Sequence, residues 1–242
     1  MNRHFLLSIA LAVVLIFFIF LLIQEKQPFA SDRQQPSHQI VALGDFLTYG
    51  YGDQTGRGYV GELKRQLNRH RDTQYQVDNY GIRGQQTDGV LHQLTQRPVL
   101  RDVKRADTLI LFIGTNDFLY SNGRDMMDPQ PKRLKAGKRE FTTHLDQILN
   151  RLRQANPQAP VLLLGLYDPY PRMVASDPYI QQWNRAIRRV LARYSNTTWI
   201  PTHFLFQGKP KMAYFSDALH PNHRGYQMIV KQIFRKYNFT DK

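Results

Sequence analysis

Short apolar runs alternate with amphipathic stretches along most of the chain, and each kind of stretch predicts a different element. Continuous apolar runs are typical of buried parallel strands. Apolar residues at spacings of three and four are typical of helices with one buried face. Strands are predicted at Gln39–Leu43, Tyr75–Asp78, Thr108–Ile113, Pro160–Leu166 and Thr198–Ile200, and helices at about 58–70 and 87–96, along Phe141–Leu152, from Asp177 onward and after Pro221.

This alternation of strand and helix predicts the fold class. Parallel strands joined by right-handed crossovers place helices on both faces of one sheet. We therefore predict an α/β three-layer sandwich with a five-stranded parallel sheet over residues 39–242. The segment Asn122–Lys138 is long, charged and contains Pro and Gly, so it is predicted to be a surface loop and a candidate lid.

The first 38 residues differ in character from the rest. Residues 5–23 hold no charge and a single Ser, and a helix of that length spans roughly 28 Å, about the thickness of a bilayer core. Pro28 stands where a signal-peptidase site needs a small residue, which favours an uncleaved anchor over a cleaved signal peptide. We expect a cytoplasmic tip at 1–4, a transmembrane signal anchor at 5–23 and a linker at 24–38. The domain then lies on the extracytoplasmic side of a bacterial cell membrane.

Composition and charge narrow the chemistry and the partners. The chain contains no Cys, which excludes disulfides, thiolate nucleophiles and Cys-ligated metals. Its formal net charge is +14, and only one unit of that charge lies before Ala30. A basic domain beside a membrane is expected to attract anionic lipid head groups or anionic wall polymers, unless its charges are simply solvated. The chain has no nucleic-acid-binding motif, so no nucleic-acid partner is expected.

Four polar clusters are the candidates for chemistry, because they adjoin predicted elements at the edge where open α/β folds place their sites. Three of them follow strands, and the fourth precedes the last helix. The chain has no Gly-x-Ser-x-Gly elbow and no P-loop, which argues against an α/β-hydrolase arrangement and a P-loop nucleotidase. The clusters are Gly44-Asp45-Phe46-Leu47-Thr48, Asn79-Tyr80-Gly81-Ile82-Arg83-Gly84, Gly114-Thr115-Asn116-Asp117 and Asp217-Ala218-Leu219-His220-Pro221.

The last cluster contains a carboxylate and an imidazole at a spacing that suits acid–base chemistry. Asp217 lies three residues before His220, so it can accept the Nδ1–H of the ring, fix its tautomer and leave Nε2 as a general base. Other interpretations stay open. Asp217 could be a turn residue or a helix cap, His220 could be a surface histidine, and both could join His223 as weak metal ligands. We expect neither a metal nor a cofactor.

Together the four clusters resemble the conserved blocks of the SGNH/GDSL hydrolases in order and spacing, over nearly the whole domain. The resemblance implies a flavodoxin-like sheet with strand order 2-1-3-4-5 and hydrolysis of carboxylic esters by lipases, lysophospholipases or carbohydrate esterases. It also implies that Asp217 and His220 are catalytic and that Gly84 and Asn116 form an oxyanion hole with the N–H at position 46. An oxyanion needs preorganised donors, which a close-approaching glycine N–H and a neutral amide supply.

The chain departs from the family at the nucleophile. The family pattern is Gly-Asp-Ser-Leu-Thr, and this chain has Phe46 at the position of the Ser. A phenyl ring cannot attack a carbonyl. Thr48, Asp45 and Ser216 lie nearby in sequence, but none is expected to substitute for the missing hydroxyl. His220 could activate a water directly, which is a weaker mechanism than covalent catalysis.

The expected function is a membrane-anchored ester hydrolase scaffold that Phe46 impairs. One alternative is a non-catalytic binding module, a pseudoenzyme, that holds acylated lipid or wall polymer in the cleft. Another is an intact esterase in which Phe46 reflects a single-base change or a sequencing error. The sequence does not indicate the acyl chain, the leaving group or the oligomeric state.

Overall fold

The structure is a computed structural model that describes residues 37–69, 74–125, 128–169 and 177–239. Five parallel strands form one sheet in the order β2-β1-β3-β4-β5, so the predicted strands and the strand order implied by the resemblance are confirmed. The register pairs Ala42 with both Asn79 and Ile110, which makes β1 a central strand. The strands are β1 (Ser37–Gly44), β2 (Gln74–Gly81), β3 (Thr108–Phe112), β4 (Val161–Leu164) and β5 (Thr197–Ile200).

Helices cover both faces of this sheet, as the three-layer prediction requires. One apolar cluster joins the sheet to the helices Pro131–Ala155 and Asp177–Leu191, and the other joins it to the helices Gly58–Leu67 and His223–Lys236. The helices in the described residues are α1 (Phe46–Tyr49), α2 (Gly58–Leu67), α3 (Thr87–Gln93), α4 (Arg97–Arg105), α5 (Thr115–Ser121), α6 (Pro131–Ala155), α7 (Asp177–Leu191), α8 (Lys211–Tyr214) and α9 (His223–Lys236).

The predicted loop Asn122–Lys138 is wrong in its second half, because α6 begins at Pro131. Pro is well tolerated in the first turn of a helix, where its missing N–H has no partner to lose. Leu134 is buried in the same cluster as Phe141, so the apolar stripe of α6 starts one turn into the helix. A Cβ on Gly137 would lie 2.2 Å from the Cβ of Ser121, so this glycine lets α5 and α6 approach closely.

Helix α4 was not predicted at all. Its sequence is rich in Arg and Lys, and only Val99 and Val103 are buried, one turn apart. Two apolar residues are too few to give a clear periodic signal. The predicted transmembrane segment 5–23 and the linker lie outside the described residues, apart from the last two linker positions. Of the residues that the structure describes, no helix has the length and apolar character needed to cross a bilayer.

A buried carboxylate fixes helix α5 against helix α3. Asp117, which is 7% exposed, accepts hydrogen bonds from both the backbone N–H and the hydroxyl of Thr87. The same hydroxyl lies 3.2 Å from His144 Nδ1 on α6. Burial raises the pKa of Asp117 to about 6, although the hydrogen bonds from Thr87 oppose the rise. This network holds the start of α5, and with it Asn116, in place.

The raised pKa predicts how the stability of the domain depends on pH. Because Asp117 binds its proton more tightly in the folded state, its contribution to stability is complete below pH 4 and is lost as the pH rises to about 6. The free energy of unfolding of the wild type, relative to Asp117→Asn, should fall over that range by up to about 1.4 kcal/mol per pH unit. Urea unfolding of both proteins from pH 3.5 to 7.5 measures this difference. Parallel curves would show that Asp117 has an ordinary pKa.

Candidate active site

Residues from all four clusters gather in one cleft of about 660 Å³ outside the carboxyl ends of the strands. Phe46, Gly84, Asn116 and His220 all line it, and Asp217 lies behind His220. The cleft forms there because β1, β2 and β3 end side by side and each continues into a turn. The structure therefore brings together every residue that the sequence singled out for the site.

Asp217 and His220 form the pair that their spacing predicts. Asp217 Oδ2 lies 2.6 Å from His220 Nδ1, while Oδ1 accepts the backbone N–H groups of His220 and Leu219 at 2.7 and 2.8 Å. Burial raises the pKa of Asp217, but these three hydrogen bonds together outweigh it, so the pKa lies below its ordinary value. The carboxylate is thus held ionised and aimed at the imidazole, which leaves Nε2 for other chemistry.

The predicted oxyanion donors follow the carboxyl ends of two other strands, β2 for Gly84 and β3 for Asn116. Gly84 has φ +74°, a left-handed conformation that favours glycine, and its N–H has no acceptor among the described residues. Asn116 is 3% exposed and lies at the start of α5. Its Nδ2 donates one hydrogen bond to the carbonyl of Gln85 at 2.9 Å, which orients the amide and leaves its second N–H.

Phe46 occupies the first position of helix α1, directly after β1. Asp45 caps this short helix by accepting the N–H of Leu47 at 2.9 Å. The Phe46 ring is 5% exposed and meets the His220 ring edge to face, with centroids 4.5 Å apart and planes at 82°. The hydrocarbon ring thus stands against the imidazole, at the position to which the resemblance assigns the nucleophile.

None of the three candidate substitutes for the missing nucleophile lines the cleft. Thr48 is fully buried, and its hydroxyl lies 3.1 Å from the Tyr59 hydroxyl. Complete burial raises the pKa of Asp45 well above its usual range, and the neighbouring carboxylate of Asp117 adds to the rise. Ser216 donates its hydroxyl to the backbone carbonyl of His220 at 3.1 Å. Among the described residues, no Ser or Thr lines the cleft.

The alternative metal site is not assembled. His223 turns away from the Asp217 pair, and its Nδ1 lies 3.3 Å from Asp53 Oδ2. Asp53 also accepts hydrogen bonds from Thr55 and Gly58, so it holds the turn before α2. The described part of the chain contains no group of three or more His, Asp or Glu residues placed to hold a metal ion.

The cleft is also lined by two tyrosines and two arginines to which the sequence analysis assigned no role, although Arg83 belongs to the second cluster. The Tyr51 and His220 ring centroids lie 4.4 Å apart, so His220 contacts Tyr51 in addition to Phe46. The guanidinium of Arg83 lies 4.3 Å from the Tyr51 ring centre, and that of Arg124 lies 4.7 Å from the ring of Tyr120. Arg83 adjoins Gly84 in sequence, which was the one available signal. Arg124 follows a turn that no motif marks.

Similar proteins support the family that the four clusters resemble. Protein YpmR of Bacillus subtilis, described as uncharacterized, is 24% identical over 85% of this chain and 87% of its own length. The spore germination lipase LipC of Bacillus licheniformis is 26% identical over 81% of this chain and 94% of its own length. The crystal structure of the lipase Lip_vut3 from a goat rumen metagenome superposes with a TM-score of 0.73 at 25% identity, over 82% of this chain and 96% of that one.

The family assignment itself rests on a match to a sequence model of the family. The sequence model of the GDSL-like Lipase/Acylhydrolase family matches residues 42–228, which include all four clusters. The five-stranded parallel sheet, the cleft at its carboxyl edge and the pair Asp217–His220 agree with that match. The chain therefore belongs to the GDSL-like lipase/acylhydrolase family.

Proposed function

We propose that this chain is a carboxylic ester hydrolase scaffold whose acyl transfer is strongly impaired by Phe46. The observation that carries the proposal is the edge-to-face contact of Phe46 with His220, 4.5 Å between centroids. The general base of the family would deprotonate a serine hydroxyl at this position. Here its neighbour is a phenyl ring with no proton to give.

The rest of the cleft supports ester chemistry. The ionised carboxylate of Asp217 can stabilise an imidazolium on His220, and Gly84 with Asn116 can donate to an oxyanion. In a comparable triad, loss of the nucleophile alone costs on the order of 10⁶ in kcat. Some rate above that of water survives such a loss, because the oxyanion donors and substrate binding still act. A slow attack by water, activated by His220, is the reaction that these residues can still support.

A second function, that of a non-catalytic binding module, has one specific observation in its favour. Aromatic and apolar side chains dominate the cleft around Phe46, where Tyr51, Tyr120, Leu119 and Leu219 surround the polar site. Such a lining suits an acyl chain whether or not the ester is cleaved. The preserved Asp217–His220 pair favours the hydrolase, because a binding module has no use for an aimed base.

We also propose that the domain is anchored to a cell membrane by residues 5–23 and lies on its extracytoplasmic side. The support is the uncharged length of that segment and the poor cleavage site that follows it. An anchored domain with a strong positive charge would stay close to anionic lipid head groups or wall polymers. The substrate is then an acyl ester, as a small molecule, a lipid or a wall polymer.

Restoring the hydroxyl tests the preserved site. The full chain, Phe46→Ser and Phe46→Ala should be compared on p-nitrophenyl acetate and butyrate. Phe46→Ser should raise kcat by at least about 10³-fold, because a serine there meets a base already oriented by Asp217. Phe46→Ala opens the same space without supplying a nucleophile, so it should remain near the wild-type rate.

The base provides the matching control. His220→Ala in the Phe46→Ser background should lower the rate to that of the wild type or below it, because both the serine and water then lack their proton acceptor. A folded Phe46→Ser protein with no gain in kcat would contradict a preserved catalytic site. A wild type with ordinary esterase rates that vanish in His220→Ala would contradict the impairment by Phe46.

Anchoring is tested by fractionation of bacteria that express the full chain. The protein should stay with the membrane through an alkaline carbonate wash, and protease added to spheroplasts should digest the domain. A variant that lacks residues 5–23 should appear in the soluble fraction. Recovery of the full chain as a released protein with a new N-terminus near Ala30 would show cleavage instead of anchoring.

A further inference from the structure

We infer that the cleft contains a subsite for an oxyanion, formed by the guanidinium groups of Arg83 and Arg124, so that its ligand is an acyl compound bearing a phosphate or carboxylate group. This inference rests on the proposed function for the acyl part of the ligand. The anionic part is argued from the two arginines alone.

Each arginine is held over an aromatic ring that itself lines the cleft. Arg83 lies 4.3 Å from the Tyr51 centroid, and Tyr51 in turn meets His220 at 4.4 Å. The Tyr51 ring therefore contacts both the Arg83 guanidinium and the His220 imidazole. An arginine stacked by its face keeps its N–H donors at the edge of the guanidinium plane, where they can bind a phosphate or carboxylate in a bidentate manner.

Arg124 approaches the same cleft from the turn after α5. Its backbone has φ +67°, a left-handed conformation that costs a non-glycine residue about 1 kcal/mol. The turn is closed by a hydrogen bond from the Arg124 N–H to the carbonyl of Leu119 at 2.7 Å. The result places the guanidinium over Tyr120, whose hydroxyl is 3.7 Å from the position that a Cβ on Gly84 would take. Both arginines thus lie beside the predicted oxyanion hole.

The charges of these arginines are not neutralised by carboxylates of the residues that the structure describes. Neither guanidinium forms an ion pair with a carboxylate of the described residues, and no Asp or Glu in that part of the chain lines the cleft. Both side chains are exposed, so the donors are accessible to a ligand. Two unpaired cations in a concave, partly apolar surface focus a positive potential on it, and the basic charge of the whole domain adds to the attraction of an anion.

Binding measurements on the full chain test the subsite without any need for turnover, because Phe46 is kept. The probes are hexyl phosphate, hexanoate and hexanol, which share one alkyl chain and differ in the head group. Calorimetry should give a Kd for hexyl phosphate at least tenfold lower than that for hexanol. The variants Arg83→Gln and Arg124→Gln should each weaken hexyl phosphate binding by about tenfold, because each removes charged hydrogen bonds to the anion.

The double variant should bind hexyl phosphate no better than hexanol, with hexanol binding itself unchanged. Arg188→Gln is the matched control, because Arg188 is exposed on α7 and does not line the cleft. It removes the same charge and should change the Kd by less than twofold. Tighter binding of hexyl phosphate than of hexanoate would assign the subsite to a phosphate, and the reverse order would assign it to a carboxylate.

Equal Kd values for hexyl phosphate, hexanoate and hexanol in the wild type would overturn the subsite. Retention of tight hexyl phosphate binding by the double variant would overturn it as well. These outcomes are independent of the kinetics of Phe46→Ser. An inactive Phe46→Ser protein with arginine-dependent phosphate binding would refute the hydrolase and keep the subsite, and an active one without such binding would do the opposite.

Discussion

The edge-to-face contact between the rings of Phe46 and His220 connects the start of the domain with the loop before its last helix. Phe46 follows β1 and His220 precedes α9, so the contact forms only when the sheet has brought both ends of the domain to one edge. Aromatic rings in this geometry attract each other by about 0.5–1.5 kcal/mol beyond the effect of their burial. In the function we propose, the same ring stands where a nucleophilic hydroxyl is needed. A single side chain would thus support the packing of the cleft and impair its chemistry.

Everything else in the cleft depends on rigid elements that meet at the carboxyl edge of the sheet. Asp45 caps α1 and Asp117 ties α5 to α3, and burial raises the pKa of both carboxyl groups. Buried carboxyl groups reduce stability when they ionise, so retaining two of them at this edge is consistent with a site that needs fixed geometry. Asp217, by contrast, has a lowered pKa and is the carboxylate that remains charged beside His220. The two kinds of environment separate the structural carboxyl groups from the proposed catalytic one.

Much of the fold could be predicted from the sequence, because its strands are continuous apolar runs and its long helices carry clear stripes. The failures have physical causes. Helix α4 buries only Val99 and Val103, and the first turns of α6 contain Pro131 and Gly137, which usually signal a loop. In α6 the proline sits in the tolerated first turn, and the glycine makes room for Ser121. Neither role is visible until the neighbouring helix is in place.

The features of the site also include some that the sequence predicts and some that it does not. The motif residues could be predicted because their order and spacing resemble the blocks of the GDSL-like family, and each adjoins an element that ends at the cleft. The contacts of Arg83 and Arg124 with their two tyrosines could not be predicted, because an arginine over an aromatic ring needs two loops to converge in space. The position of the Arg124 side chain also depends on a left-handed backbone conformation, which the sequence does not predict. The residues that we propose to select the ligand are thus those that only the folded chain reveals.

The most direct test of the account is covalent labelling with a fluorophosphonate probe, which reacts with an activated serine hydroxyl. The wild-type chain should not be labelled in the cleft, and Phe46→Ser should be labelled at residue 46 in a manner that requires His220. A phosphonate adduct mapped by mass spectrometry to any cleft side chain of the wild type would contradict it.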